Sequence, residues 1–219
     1  MDKLYSLDNR LKLCASLVRP SARLADVGTD HAYLPVWLLK HGKIDYAIAS
    51  DINSGPLESG RANAQKYRAE SIDFRPGAGL STISADDNIT DVVIAGMGGE
   101  IIAQIIADSE LARDRNLNLI LQPMTKPEEL IAFLCESGFE ITEQKCTVSH
   151  GKCYTVIAAS YSGEVAHTDE IFPYIGKLNL SDEHSVLFLK NQIKHLENKS
   201  KGDEKYLPIL NELKKLVIL

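Results

Sequence analysis

The chain has 219 residues, 44% hydrophobic and 25% charged, which is the composition of an ordinary globular protein with length for one domain and an appendage. No apolar run approaches the roughly 20 residues of a membrane span, and the charged start MDKLYSLDNRLKL lacks the apolar stretch and cleavage site of a signal peptide; a cytoplasmic protein without membrane contact is expected. The net charge of −6 excludes a broadly basic nucleic-acid binder, although the segment from Ile171 onward holds eight Lys and Arg against six Asp and Glu, so an anionic polymer would have to find a local basic face.

Helical and strand patterns alternate along the chain. Leu4, Leu7, Leu11, Cys14 and Val18 step at helical spacing and predict an amphipathic first helix. RLADVG reads as a short buried strand ending in a turn, and LPVWLLKHG as a helix with Pro35 in its first turn and Gly42 at its end. YAIASDI is a second strand, PLESGRANAQKYR a helix with a polar face, and IDFRPGAG a third strand with its turn. DVVIAGMGG is a fourth strand running into a glycine cluster, EIIAQIIADSELA the next helix and NLILQPM a fifth strand. PEELIAFLCESGF carries Pro127 early, acids in its first turn and Gly138 at its end, the marks of a bounded helix. EITEQKCTVSHGKCYTVIAASY predicts two closing strands about a turn. Alternation of this kind, with near-continuous apolar strands, predicts an α/β fold: an open sheet covered on both faces and joined by right-handed crossovers.

Beyond Pro173 the pattern changes. Ser181 is placed to cap a helix in which Val186, Leu189, Ile193 and Leu196 step by three and four. After a polar turn at Gly202, Tyr206, Leu210, Leu213 and Val217 do the same. The prediction is an antiparallel hairpin of two helices with an apolar seam. The chain thus divides into residues 1–165 and 166–219. The cysteines at 14, 135, 146 and 153 form no C-x-x-C pair and no His/Cys cluster of metal spacing, so free thiols and no metal are expected.

Ligands of open α/β sheets bind at the carboxyl ends of the strands. After the first strand stands ADVGTDHAYLP, residues 25–35, where a dinucleotide-binding turn would carry three glycines and only Gly28 remains. A carboxylate at Asp30 would repel a pyrophosphate. S-adenosylmethionine has no phosphate; it carries a sulfonium and an ammonium, which acids at Asp26 and Asp30 suit. Asp30 also stands where it could cap the following helix. Asp51 ends the second strand about 25 residues after the first acid, where a carboxylate meets the ribose hydroxyls of an adenosine cofactor. Gly96, Gly98 and Gly99 allow close approach of backbone to a ligand, or simply a tight turn. Gln122, followed by Pro123, carries an amide able to bond a base edge or to satisfy backbone groups. Tyr33 is placed to stack on a base or the cofactor, and His31 beside it is either structural or functional. Arg10 and Lys152 are candidate phosphate contacts that solvation would explain equally well.

Together, LADVGTDHAYLP, AGMGGE, LILQP and GKCYTV resemble the bacterial tRNA (adenine-N1)-methyltransferases of the TrmK type, which modify adenosine 22 in the D-arm. The resemblance spans nearly the whole chain. It implies a Rossmann-like class I methyltransferase sheet with a C-terminal helical hairpin, S-adenosyl-L-methionine as cofactor and tRNA as substrate. It implies that Gly28, Thr29, Asp30 and His31 line the methionine end of the cofactor and Asp51 holds its ribose, with Asp26, Tyr33, Ile52, Gly77, Ala78 and Gly79 also at the cofactor, the side chain at position 78 commonly bonding its adenine. Gly96 would border the cofactor and, with Met97, Gly98 and Asp30, the reaction. Arg10, Tyr33, Gln122, Pro123, Lys152, Lys190 and Lys194 are the expected tRNA contacts, with Lys199 and Lys201 on the same outer face. One departure stands out: the family usually has Asp or Asn where this chain has Ala78, and the missing hydrogen bond to adenine is worth about 0.5–1.5 kcal/mol. A monomer is the expected state. The competing functions are a methyltransferase of small molecules or proteins, an inactive binding module and, last because of Asp30 and the missing glycines, an NAD-dependent oxidoreductase.

Overall fold

The structure, a computed structural model, describes residues 4–218; Met1–Lys3 and Leu219, the outer ends of the two expected units, lie outside the described residues. The elements run α1 (Asn9–Leu17), β1 (Ala22–Val27), α2 (Tyr33–Lys40), β2 (Ile44–Asp51), α3 (Ser54–Tyr67), β3 (Ile72–Pro76), β4 (Asp91–Gly98), α4 (Gly99–Ala107), β5 (Asn118–Thr125), α5 (Pro127–Glu136), β6 (Phe139–Ser149), β7 (Lys152–Tyr161), α6 (Phe172–Ile175), α7 (Glu183–Ser200) and α8 (Leu207–Ile218). The strands form one seven-stranded sheet in the order β3-β2-β1-β4-β5-β7-β6. β1 to β5 are parallel; β7 runs antiparallel to β5, and β6 antiparallel to β7. Strand order therefore reverses between β1 and β4, and the crevice outside their carboxyl ends is the place where such sheets take ligands.

Both faces of the sheet are covered because the central strands are apolar throughout. Ile48, Ile94, Leu119 and Leu121 pack on one side with Ile102, Ile106, Leu130 and Leu134 of α4 and α5. Leu24, Val93 and Ile120 pack on the other with Cys14, Leu34 and Leu38. Two N-terminal boundaries differ from the sequence reading, and α4 stops at Ala107, short of the expected Ala112. The first helix begins only at Asn9, since the Asp8 carboxylate accepts the Leu11 N–H at 2.7 Å and caps it. Leu7 precedes the cap yet is 4% exposed, so the apolar stepping reports burial that continues past the helix end. Asp182, not Ser181, caps α7: its carboxylate takes both the N–H and the hydroxyl of Ser185, at 2.8 and 2.9 Å. The short α6 was not expected.

The amino-terminal edge of the sheet is tied by one fully buried carboxylate. Asp91 accepts from the Arg19 backbone N–H at 3.0 Å, Arg19 Nε at 2.8 Å and Asn118 Nδ2 at 2.8 Å. Removing it strands three donors at once. Asp91→Ala is expected to cost about 3 kcal/mol of stability by chemical denaturation, with ligand binding at the opposite edge unchanged.

The helical hairpin forms, though Val186 of the expected seam lies outside its buried cluster. Leu189, Ile193, Leu196, Leu210 and Leu213 are buried together, with Tyr206 and Val217 against them. The hairpin is also fastened to the rest of the fold: Lys199 Nζ lies 3.3 Å from Glu128 of α5 and Cys153 of β7 donates its thiol to the His184 carbonyl at 3.4 Å; within it, Lys214 pairs with Glu197 across the seam at 2.7 Å. All four cysteines are free. Among the described residues no helix is long and apolar enough to cross a membrane.

Candidate active site

The turn after β1 sets the geometry. Gly28 has φ +73°, a left-handed backbone that favours glycine, and the tip of the Met97 side chain lies where a Cβ would stand. Two further residues, His31 and Ala32, adopt φ +52° and +51° without being glycine. This left-handed pair swings the chain from the turn into α2 and leaves Asp30 outside the helix. Asp30 therefore caps nothing; its side chain is 79% exposed, with His31 Nε2 at 3.2 Å.

Asp26, Gly28, Asp30, Asp51, Gly96, Met97 and Met124 line one cleft of about 390 Å³ together with Arg10. Three carboxylates and one guanidinium thus share the crevice at the strand-order reversal. Asp26 is buried, and burial raises its carboxyl from the ordinary 3.8 to about 6, opposed by the Thr29 hydroxyl, which donates to it at 2.6 Å, raised further by Asp30 and Asp51, and lowered by Arg10. Thr29 is itself 1% exposed, so it holds Asp26 in place and does not face a ligand. Asp51 is oriented by the Asn53 N–H, donated at 2.7 Å.

The tRNA contacts expected from sequence separate into three groups. Arg10 is drawn into the cleft and does not stand on an outer face: Nη1 donates to Gln122 Oε1 at 2.8 Å, and Asp8 lies 3.7 Å from Nε. Gln122 is fully buried; the same Oε1 accepts the Gly96 N–H at 3.1 Å, and Nε2 donates to the Pro123 carbonyl at 2.8 Å. It is engaged on both sides and reads no base; it positions Arg10 and Gly96. Pro123 is likewise buried, in the ladder opposite Met97. Lys152 does lie on the ligand side. Because β7 is antiparallel to β5, with Ile157 opposite Leu121, Lys152, the first residue of β7, falls just past Thr125 at the carboxyl end of β5. Lys190 and Lys194 are exposed on α7, whereas Lys199 is ion-paired and Lys201 bonds Asn198.

The remaining expected cofactor residues are spread about the cleft. Ile52 is 74% and Tyr33 36% exposed; the Tyr33 carbonyl accepts the Tyr5 hydroxyl at 2.7 Å and its ring meets Tyr5 edge-on. Ala78 and Gly79 line a different depression with Leu80, Ser81 and Ile105. The loop that carries them is held from below by Arg75, which grips Asp87 through two bonds of 2.7 Å and the Thr82 carbonyl at 2.8 Å. Gly98 ends β4 and caps α4, which starts at Gly99. A Cβ at Gly99 would lie 2.2 Å from the Lys126 carbonyl, so this glycine serves the packing of α4 against the β5–α5 connection.

A ligand that satisfies this cleft carries positive charge for Asp26 and Asp30, an anionic group for Arg10 and a diol for Asp51. A pyrophosphate would face three carboxylates and one cation. No group of three or more potential metal ligands occurs among the described residues.

Comparisons with known proteins agree with that selection. Residues 7–157 match the family model described as a methyltransferase domain. The chain is 32% identical to the tRNA (adenine(22)-N(1))-methyltransferase of Bacillus subtilis over 196 residues, covering 88% of this chain and 82% of that protein. It superposes with TM-score 0.86 and 29% identity on a Streptococcus pneumoniae candidate tRNA (m1A22) methyltransferase in complex with S-adenosyl-L-methionine, covering 97% and 100% of the two chains. With the TrmK of M. capricolum bound to S-adenosyl-homocysteine the TM-score is 0.79 at 26% identity, covering 97% and 96%.

Proposed function

The chain belongs to the bacterial tRNA (adenine(22)-N1)-methyltransferase family, and on that premise we propose how its residues divide the work of methylating N1 of adenosine 22 in tRNA. The protein is an S-adenosylmethionine-dependent enzyme, and the bound cofactor supplies a methyl group on a positively charged sulfur. The observation that carries the assignment of residues is the charge set of the cleft: Asp26, Asp30 and Asp51 against Arg10.

Asp26 takes the cofactor's ammonium and Arg10 its carboxylate, a pairing made possible because Gln122 aims the guanidinium into the cleft. Asp51 holds the ribose hydroxyls and exposed Ile52 covers apolar surface beside them. Gly77, Ala78 and Gly79 border the adenine through their backbone, in a loop whose shape the Arg75–Asp87 pair maintains without help from a side chain at Ala78.

Adenine N1 has its own lone pair, so no side chain must remove a proton before attack. The protein's task is alignment and charge. Gly96, Met97 and Gly98 border the place of reaction, and Asp30, exposed at the mouth of the cleft, stabilises the positive charge that the methylated ring acquires. The N1 edge is occupied in a base pair, so the target nucleotide leaves its stack. The catalytic unit, residues 1–165, is acidic; Lys190 and Lys194 of the hairpin unit, 166–219, with Lys152 at the β6–β7 turn, supply phosphate contacts. The protein works as a monomer in the cytoplasm, where its tRNA substrate is.

Incubation with labelled S-adenosylmethionine and unmodified tRNA, followed by nucleoside analysis, is expected to yield 1-methyladenosine at position 22. Asp30→Ala is expected to lower the single-turnover rate by about tenfold or more while cofactor still binds. Methylation of a different nucleoside would refute the reading, and full transfer by the Asp30 variant would remove that residue's role.

A further inference from the structure

A second cavity opens beside the reaction cleft, between α7 and the ends of β5 and β7. Met124, 42% exposed, lines both, so the two spaces meet at the carboxyl edge of the sheet. The wall on the α7 side carries Asn191, Gln192 and His195; Tyr154 of β7 faces them.

Gln192 is the telling residue. Three glutamines are buried among the described residues: Gln122, Gln144 and Gln192, with exposures of 0%, 5% and 7%. Gln122 is bonded at both ends of its amide. Gln144 donates to Thr155 Oγ1 at 3.2 Å and accepts from the Lys177 N–H at 2.8 Å. Gln192 makes no hydrogen bond within the described residues, and its amide opens into the cavity. Neither amide atom is sealed from solvent, so both reach the cavity and stand free to meet a ligand there.

We propose that this cavity is a nucleobase subsite that takes an unpaired base next to the target adenosine, read at its edge by the Gln192 amide and flanked by Tyr154 and His195. The inference rests on tRNA being the substrate. The chemistry selects a base over a phosphate because the cations at the cavity are already spent: Lys199 pairs with Glu128 at 3.3 Å, and Lys126 with Glu100 and Glu129. What remains free is an amide pair, an imidazole and a phenol, the groups that bond and stack an unstacked base in single-stranded RNA. Occupation of this subsite by the neighbour would hold the target nucleotide out of its stack.

The test compares the parent enzyme with Gln192→Leu and His195→Ala on tRNA transcripts altered at the nucleotide on either side of the target. Gln192→Leu is expected to lower kcat/KM for the parent transcript by about tenfold and to erase the parent enzyme's ranking of flanking bases. Cofactor affinity, measured by calorimetry, should stay within about twofold. His195→Ala, an exposed site that leaves folding intact, should move in the same direction. The proposal is overturned if both variants keep kcat/KM and the ranking of transcripts, or if Gln192→Leu loses activity only by losing its fold while His195→Ala behaves as the parent. A parent enzyme that forms no 1-methyladenosine at all would instead refute the reading of tRNA as substrate, and the subsite with it.

Discussion

Asp26→Asn is expected to make the protein more stable and nearly inactive. Burial lifts the Asp26 carboxyl from 3.8 to about 6, so folding without ligand opposes its ionisation. Because the folded value is the higher one, stability falls as pH rises from about 4 to about 6, and the full cost, about 3 kcal/mol, is present at neutral pH. Asparagine still accepts the Thr29 hydroxyl but carries no charge. Thermal melts without cofactor should therefore show the variant above the parent at pH 7.5 and level with it near pH 4. The same replacement removes the proposed partner of the cofactor's ammonium, and methyl transfer should drop by about 100-fold or more. In the parent enzyme cofactor affinity should weaken as pH falls through about 6, as Asp26 takes up its proton. A variant no more stable than the parent at pH 7.5 would show that the charge is compensated within the fold.

Asp51→Ala is the complementary case, expected to leave stability nearly unchanged and to weaken cofactor binding by about 100-fold, since hydrogen bonds to a charged group contribute about 1.5–3 kcal/mol each. Asp51 is only half-buried, and among the described residues the one bond its carboxylate makes is to the Asn53 N–H, which a water can take over. Calorimetric titration with S-adenosylmethionine checks it directly; an affinity within a few-fold of the parent would move the ribose contact elsewhere. Asp26 and Asp51 lie at the carboxyl ends of neighbouring strands, one buried and the other half-buried, and the two substitutions should separate on a plot of stability against affinity.

The sheet was legible in the chain because each parallel strand is a short apolar run that ends in a polar or glycine-rich turn. Asp26, Gly28, Asp30, Asp51 and Gly96 could be chosen by their place after those runs, and all five line the cleft. What stayed hidden depends on convergence across long separations. Arg10, Gly96 and Gln122 meet through one amide oxygen, though 112 residues separate the outer two. Nothing in LILQPM says that its glutamine points inward to Arg10 and not outward to a base. Gln192 was hidden differently: it stands beside Ile193 in the seam pattern, and only the packing of α7 against β7 shows that its side chain leaves the seam for the sheet. The cap at Asp182 was missed by one residue because Ser181 and Asp182 are both good caps, and local geometry alone chooses between them.

The anchors of α7 on the sheet have a bearing on how a target nucleotide is chosen. An 18-residue helix is about 27 Å long at 1.5 Å per residue, and this one is tied near its start through Cys153 and near its end through Glu128. It is a caliper with no joint. The lysines proposed here to grip phosphate, Lys190 and Lys194, stand on this arm at a set distance from the cleft; on that proposal the enzyme selects by length along the folded RNA, and a tRNA whose elbow or D-arm differs in span would present the wrong nucleotide even with the right base.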